Sequence, residues 1–479
     1  MNKSMVRYLL SKLLLIEASL MLIPVIVAFI YHEDIRVINS LVITIGMLVI
    51  IGLLGVAFKP KNYHVYTKEG LLIVALCWIL WSFFGALPFV LSGQIPSIID
   101  AFFEMVSGFT TTGATIVPDV AVLSHSLLFW RSFAHLIGGM GVLVFALAIM
   151  ENSKNSHLEV MRAEVPGPVF GKVVSKLKET AQILYVIYLS MFAILVVILM
   201  VAGMPAFDSV ITAMGCAGTG GFGVYNDSIA HYNSSLITNI VSIAVLLFGI
   251  NFNLYYFLLL RKFKAFFKDE ELRTYIGIVM IATALIWLNV SGLYPSTGKA
   301  LENSLFEVAN VMTTTGFGVT DLTVWPLFAQ VILLFLMFVG GSAGSTAGGI
   351  KVMRTLILTK IARNQVLSTL YPHRIMTIHI NEQPLDKEIQ HGVLKYLTLY
   401  VFLLLGLTLM LSLDNNNFMV VVSAATSTFN NIGPMLGTSQ TFAIFSPFSK
   451  LLMSFAMIAG RLELYPMLLL FITKTWSKY

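Results

Sequence analysis

The sequence predicts an all-α polytopic membrane protein with ten transmembrane helices. Four pseudo-symmetric helix–pore-loop–helix repeats surround one pore, behind a two-helix N-terminal preface. Three observations predict this. Of the 479 residues, 57% are hydrophobic and 11% charged, with a mean hydropathy of +0.85. Soluble globular proteins carry about 25% charged residues, so the apolar surplus needs lipid to solvate it. Ten apolar runs approach or reach the roughly 20 helical residues that cross a bilayer core. Finally, Gly113, Gly221, Gly316 and Gly433 each stand in a polar loop after a short helix-like stretch, spaced 108, 95 and 117 residues apart.

The preface, residues 1–67, contributes runs 13–30 and 41–58 and has no polar loop. Glu17 and Pro24 interrupt the first run and no small-residue cleavage site follows it, so it reads as a retained helix rather than a signal peptide. Repeat 1 (68–179) holds runs 71–91 and 127–150 around Thr110-Thr111-Thr112-Gly113-Ala114-Thr115. Repeat 2 (180–273) holds runs 181–204 and 237–260 around Ala217-Gly218-Thr219-Gly220-Gly221-Phe222. Repeat 3 (274–390) holds runs 275–290 and 327–340 around Thr313-Thr314-Thr315-Gly316-Phe317. Repeat 4 (391–479) holds runs 393–413 and 451–471 around Asn430-Asn431-Ile432-Gly433-Pro434. The register around the glycines also repeats. Glu104 and Glu307 each stand nine residues before theirs; Asp119 and Asp227 follow by six, and Asp321 by five.

With the N-terminus inside, segments 1–12, 58–70, 151–180, 261–274, 351–396 and 472–479 are cytoplasmic. They carry 25 of the 30 Lys and Arg. That asymmetry fits the positive-inside rule and puts both termini in the cytoplasm. The net charge of +6 is then a collar facing anionic lipid, not a nucleic-acid surface. Cys77 and Cys216 offer neither a disulfide framework nor a metal spacing, and both are expected as buried thiols.

Polar backbone at membrane depth is tolerated only where it lines water or is buried in protein. Four such loops around one axis form a ring of carbonyls that can replace the water shell of a cation. Glycine reaches backbone angles that turn neighbouring carbonyls the same way. The threonines add hydroxyl oxygens or brace the loop from behind, and the preceding short helices aim their negative ends at the axis. Asp119, Asp227 and Asp321 would concentrate cations at an outer mouth. Glu104 and Glu307 either attract ions or bond the loops from behind, the second being the commoner fate of a buried acid.

The third repeat departs from the others. Its second run meets Gly340-Gly341-Ser342-Ala343-Gly344-Ser345-Thr346-Ala347-Gly348-Gly349, whose five glycines cannot hold a helix. A gate-like loop beneath the pore is expected there, against the alternative of a passive kink; the spacing is not that of a phosphate-binding loop. Arg461, deep in the last run, would either enter the pore below the filter and hold that loop, or pair with Glu463. His135 reads as a hydrogen-bonded core residue. No nucleophile–base pair or metal cluster suggests an enzyme.

These loops, the segment 340–351 and Gly460-Arg461-Leu462-Glu463 together resemble the TrkH-type subunits of the Trk/Ktr/HKT superfamily, over essentially the whole chain. The preface is similar to the TrkH branch rather than to the shorter Ktr membrane subunit. The resemblance implies potassium uptake across a bacterial inner membrane, with potassium as the permeant ion and no organic cofactor. It also implies a homodimer with one pore per protomer and a cytosolic ring of nucleotide-binding regulatory subunits on the basic face. It maps a filter onto Thr111, Thr112, Gly113, Gly220, Gly221, Thr314, Thr315, Gly316, Ile432 and Gly433. The gate falls on residues 340–349, with Arg461 as the pore arginine. The Cys216-Ala217-Gly218 lead-in and the Asn430-Asn431 pair leave one glycine common to all four loops, so preference for potassium without exclusivity is expected. A gated channel and a symporter coupled to protons or sodium both remain open; Glu104, Glu307 and His135 would serve the second.

Overall fold

The computed structural model describes residues 2–63, 65–141, 177–371, 373 and 376–476. Among them the regular elements are helices, apart from a two-residue antiparallel ladder pairing His379–Ile380 with Gln383–Pro384.

The preface is a helical hairpin. Helices α1 (Lys3–Leu20) and α2 (Leu22–Ile30) continue as one span, and α3 (Ile35–Ala57) returns against α1. A Cβ at Gly55 would lie 1.8 Å from Ser11 Oγ, so only glycine permits this crossing. Small residues at a crossing give apolar helices close packing, which replaces the hydrophobic drive they lack in lipid. The Asn2 backbone N–H donates to Glu69 at 2.9 Å, tying the preface to α4 (Thr67–Ser92).

From α4 onward one order of elements occurs four times: a long helix, a short helix, a loop and a second helix. The first set is α4, α5 (Ile98–Phe109) and α6 (His125–Gly139). The second is α7 (Leu177–Val201), α8 (Ala206–Gly218) and α9 (Ser235–Phe248), followed by α10 (Phe252–Leu259) and α11 (Phe263–Lys268). The third is α12 (Glu270–Val290), α13 (Thr297–Met312) and α14 (Leu327–Val339), followed by α15 (Val352–Leu370). The fourth is α16 (Lys387–Leu411), α17 (Phe418–Asn430) and α18 (Pro447–Arg461), followed by α19 (Tyr465–Phe471).

Long and short helices bury differently. The second half of each of α5, α8, α13 and α17 is enclosed by protein, whereas α7, α12 and α16 expose broad apolar faces. The short helices form the centre and the long ones the lipid-facing wall. Among the described residues, six spans are long and apolar enough to cross a membrane unbroken: α1–α2, α3, α4, α7, α12 and α16.

The second helices correct the sequence reading, which placed a break in the third repeat alone. Helices α6, α9, α14 and α18 have only 15, 14, 13 and 15 residues. At 1.5 Å per residue these fall short of a core about 30 Å thick. Helix α9 meets α10 at 90°, α14 gives way to the 340–349 segment, and α18 ends before Leu462–Leu464. A hydropathy average passes over the breaks after α9 and α18 because Asn251, Asn253, Arg461 and Glu463 are single polar residues with apolar stretches on both sides. Helix α6 ends at Gly139; the predicted run from 142 to 150 and the link up to 176 lie outside the described residues.

Candidate functional site

Each short helix delivers its C-terminal end to a loop with one backbone pattern. The residue two before the glycine and the glycine itself are both left-handed. The φ pairs are 55° and 79° at Thr111 and Gly113, 53° and 73° at Thr219 and Gly221, 56° and 82° at Thr314 and Gly316, and 57° and 108° at Asn431 and Gly433. The N–H of the residue before each glycine donates to the carbonyl five positions earlier: Thr112 to Ser107 (2.9 Å), Gly220 to Gly215 (2.8 Å), Thr315 to Asn310 (2.8 Å) and Ile432 to Ser427 (2.9 Å). This is the closure of a helix C-terminus by a left-handed residue. The divergent second and fourth loops therefore have the same fold as the threonine-rich ones.

The four loops touch in sequence. A Cβ at Gly113 would lie 1.9 Å from the Gly220 carbonyl oxygen, at Gly221 2.0 Å from that of Thr315, at Gly316 2.1 Å from that of Ile432, and at Gly433 2.7 Å from that of Thr112. Each glycine rests on the carbonyl of the residue that precedes the next glycine, and the fourth returns to the first. The contacts close a ring, with left-handed φ and the absent Cβ both required at every station.

Behind the ring the supports differ. Glu104 accepts hydrogen bonds from Thr115 Oγ1 (2.9 Å) and the Ile116 N–H (3.0 Å) and makes a buried ion pair with Arg131 at 2.8 Å. The Arg131 guanidinium also lies 3.8 Å from the ring centroid of Phe222, the residue after Gly221. His135 bonds the Gly108 carbonyl through Nδ1 at 2.8 Å and packs on the same Phe222 ring. Glu307 takes the Val319 N–H at 3.1 Å, and no described cation pairs with it. Thr212 and Ala424 occupy the matching places in the other two short helices.

Asp119, Asp227 and Asp321 are all exposed, and each stands at the start of a 3-10 turn after its loop. Asp119 accepts from the Ala121 N–H, while Asp227 lies 3.4 Å from His231. The Thr323 N–H and hydroxyl both bond Asp321, which holds its carboxyl below the usual carboxylate range. Turn capping thus accounts for part of their register.

Segment 340–349 lies directly under the ring. The Gly348 N–H donates to Thr314 Oγ1 at 2.6 Å, and the Gly349 N–H to the Asn430 carbonyl at 3.1 Å. Arg461 reaches it from below, donating to the Thr346 carbonyl at 2.6 Å and to the carbonyls of Gly138 and Gly139 at 2.7 Å. It joins the segment to the end of α6, while Glu463 faces Arg354 at 2.5 Å. On the outer side the Ser342 N–H donates to the Gly249 carbonyl (3.0 Å), the Phe252 N–H to the Gly344 carbonyl (3.0 Å), and Thr346 Oγ1 to the Phe248 carbonyl (3.3 Å). Glu271 accepts the N–H groups of Ala343 (2.6 Å) and Met353 (3.1 Å).

The sequence reading missed several members of this arrangement. Thr219 and Asn431 occupy the left-handed station of Thr111 and Thr314, and counting back two from each glycine would have found them. Arg131 stood out only as a cation outside the cytoplasmic segments; its partner Glu104 is 27 residues away and carried no joint signal. Glu271 and Arg354 belong to no motif or repeat position in the sequence, and their partners in 340–353 and at Glu463 lie 72 to 109 residues away. Cys77 and Cys216 are both buried.

Comparison with known proteins agrees with this geometry. Residues 38–478 match the TrkH family, described as cation transport protein. The Trk system potassium uptake protein TrkH of Salmonella typhimurium is 33% identical over 476 residues, covering 97% of this chain and 98% of its own. TrkG of Escherichia coli is 31% identical over 467 residues, 95% of each chain. The crystal structure of the potassium transporter TrkH from Vibrio parahaemolyticus matches with a TM-score of 0.89 at 30% identity, over 100% of both chains. The chain belongs to the TrkH family of cation transport proteins.

Proposed function

We propose that this chain carries potassium into a bacterial cell across the inner membrane through a gated, channel-like pore regulated by a cytosolic nucleotide-binding subunit. The closed ring of glycine-to-carbonyl contacts carries the reading, since it gathers backbone carbonyls from four loops around one axis, and a ring of carbonyls is the chemistry that replaces a cation's water. Thr111, Thr112, Gly113, Gly220, Gly221, Thr314, Thr315, Gly316, Ile432 and Gly433 supply the filter. Segment 340–349 and Arg461 form the gate beneath it, and Asp119, Asp227 and Asp321 collect cations outside. Potassium is the ion named for the relatives at 33% and 31% identity.

A channel is favoured over coupling to protons or sodium because Glu104, Glu307 and His135, the groups that coupling would use, are each bonded to the backbone that supports the loops. Glu104 is tied to Arg131 and loop 1, Glu307 to loop 3, and His135 to Gly108. We place the repeat boundaries at residues 67, 179, 273 and 390, each within the first turn of the long helix that opens its repeat, and both termini on the cytoplasmic side with the segments that carry 25 of the 30 Lys and Arg. A homodimer and a regulatory ring on the basic face follow from the family resemblance.

The test is a reversal potential in liposomes under bi-ionic potassium and sodium gradients, with pH stepped on one side. A potential that tracks potassium and ignores pH is expected. One that moves with the proton gradient would replace the channel by a symporter.

A further inference from the structure

The 340–349 segment is gripped at two places by one short stretch of chain, and what lies between those grips is largely exposed. The first grip is the α9–α10 corner, where the carbonyls of Phe248 and Gly249 and the N–H of Phe252 bond segment 340–349. A Cβ at Gly344 would lie only 2.9 Å from Asn251 Oδ1 at the same corner. The second grip is Glu271, at the start of α12. Between them run α10, turned through 90° from α9, and then α11.

This arm is built for an interface. Phe263, Phe266 and Phe267 recur at helical spacing on one side of α11, and Lys264 and Lys268 on another. Phe263 and Phe267 are 56% and 65% exposed, and Leu259 and Leu260 before them 67% and 46%. Arg261, Lys262, Lys264 and Lys268 are exposed and make no ion pair with a described residue. Exposed aromatics interleaved with unpaired cations, next to the turned helix α10, match the amphipathic pattern that inserts between headgroups. The complementary surface is an anionic lipid phosphate, attracted by several basic side chains within one Debye length of it.

We infer that the α10–α11 arm, through Arg261, Lys262, Lys264 and Lys268 with Phe263 and Phe267 inserted, binds anionic lipid headgroups and thereby holds the 340–349 segment closed. The arm is seen with the segment packed beneath the ring, so a lipid that fixes the arm in this position stabilises that packing. Neutral lipid releases the arm and loosens both grips together. This regulation rests on the pore reading above.

Two measurements on the full-length chain, without any regulatory subunit, test it. The first is potassium flux in vesicles of phosphatidylcholine alone or mixed with phosphatidylglycerol. The second is retention of phosphatidylglycerol by native mass spectrometry. Wild-type flux is expected to fall about threefold or more when phosphatidylglycerol is present. The variant R261Q/K262Q/K264Q/K268Q should flow equally in both vesicles, at the neutral-lipid rate, and lose about tenfold of its lipid retention. F263S/F267S, which keeps the charges, should show an intermediate lipid response. Equal lipid dependence in wild type and the quadruple variant, or equal retention, would overturn the inference and assign the arm to a protein partner. No flux in any vesicle would overturn the pore reading instead, and retention would then decide the lipid site by itself.

Discussion

The glycine ring and the 340–349 segment are both irregular, glycine-rich backbone at membrane depth, yet they are held in opposite ways. Every loop of the ring is fixed by its own short helix: a left-handed residue, a hydrogen bond back five positions, and a glycine against the neighbouring carbonyl. The segment below is held by distant parts of the chain, among them Thr314, Asn430, Gly249, Glu271 and Arg461. Local closure makes a rigid element, because its bonds persist whatever the surroundings do. Remote clamps make a switchable one, since moving any holder removes a bond without unfolding the chain.

The largest way to break this contrast is to remove a support of the ring. Arg131→Leu leaves Glu104 buried without its cation, which should cost about 3–5 kcal/mol and show as a lowered melting temperature. The double variant Glu104→Gln/Arg131→Leu should recover much of that loss, because no uncompensated charge remains. Equal melting of the single variant and wild type would mean that the pair does not support the ring.

Next in size is Gly316→Ser, which forces a side chain into φ 82° and within 2.1 Å of the Ile432 carbonyl oxygen. Potassium preference over sodium should fall by about tenfold with the protein still folded. Wild-type selectivity in that variant would remove Gly316 from the filter.

A smaller effect is expected at the segment. Arg461→Ala deletes three charge-assisted hydrogen bonds and should raise basal flux about three- to tenfold with the ion preference unaltered. Unchanged or reduced flux would make Arg461 a structural tie. A changed preference would erase the distinction between ring and segment.

The smallest lies at the outer turns. Asp321→Ala loses the bonds to Thr323 and should destabilise by at most about 1 kcal/mol. Because those bonds lower the carboxyl's pKa, its contribution is full above about pH 4 and fades as pH falls through the depressed value. A melting temperature difference that persists undiminished below that window would show that the charge is irrelevant to the turn.

What could be read from the sequence follows the same division. The ring was legible because each loop repeats a local pattern, so four weak signals at Gly113, Gly221, Gly316 and Gly433 reinforced one another. The five glycines of 340–349 also gave away a broken helix. The clamps on that segment were not legible. Arg461 meets Thr346 at a separation of 115 residues and Glu271 meets Ala343 at 72, and neither pairing leaves a periodicity. The breaks after α9 and α18 escaped as well, since the polar residues that mark them, Asn251 and Asn253 after Gly249 and Arg461 and Glu463 after Gly460, are single positions between long apolar stretches. Thr219 and Asn431 were overlooked for a simpler reason: the eye follows residue type, and the backbone follows register.

Ring order also governs how the protein can be made. The station at Gly433 rests on the Thr112 carbonyl, so the last contact waits for a residue synthesised 320 positions after Gly113. At roughly 5–20 residues per second that delay is about a quarter of a minute to a minute. Over the last 117 of those positions, once Gly316 has been made, the three earlier loops form an open arc with one vacant side. A nascent chain at this stage needs lipid, insertion machinery or a chaperone to cover exposed backbone that the fourth repeat will later cover, and a chain truncated before Gly433 has no ring to leak through.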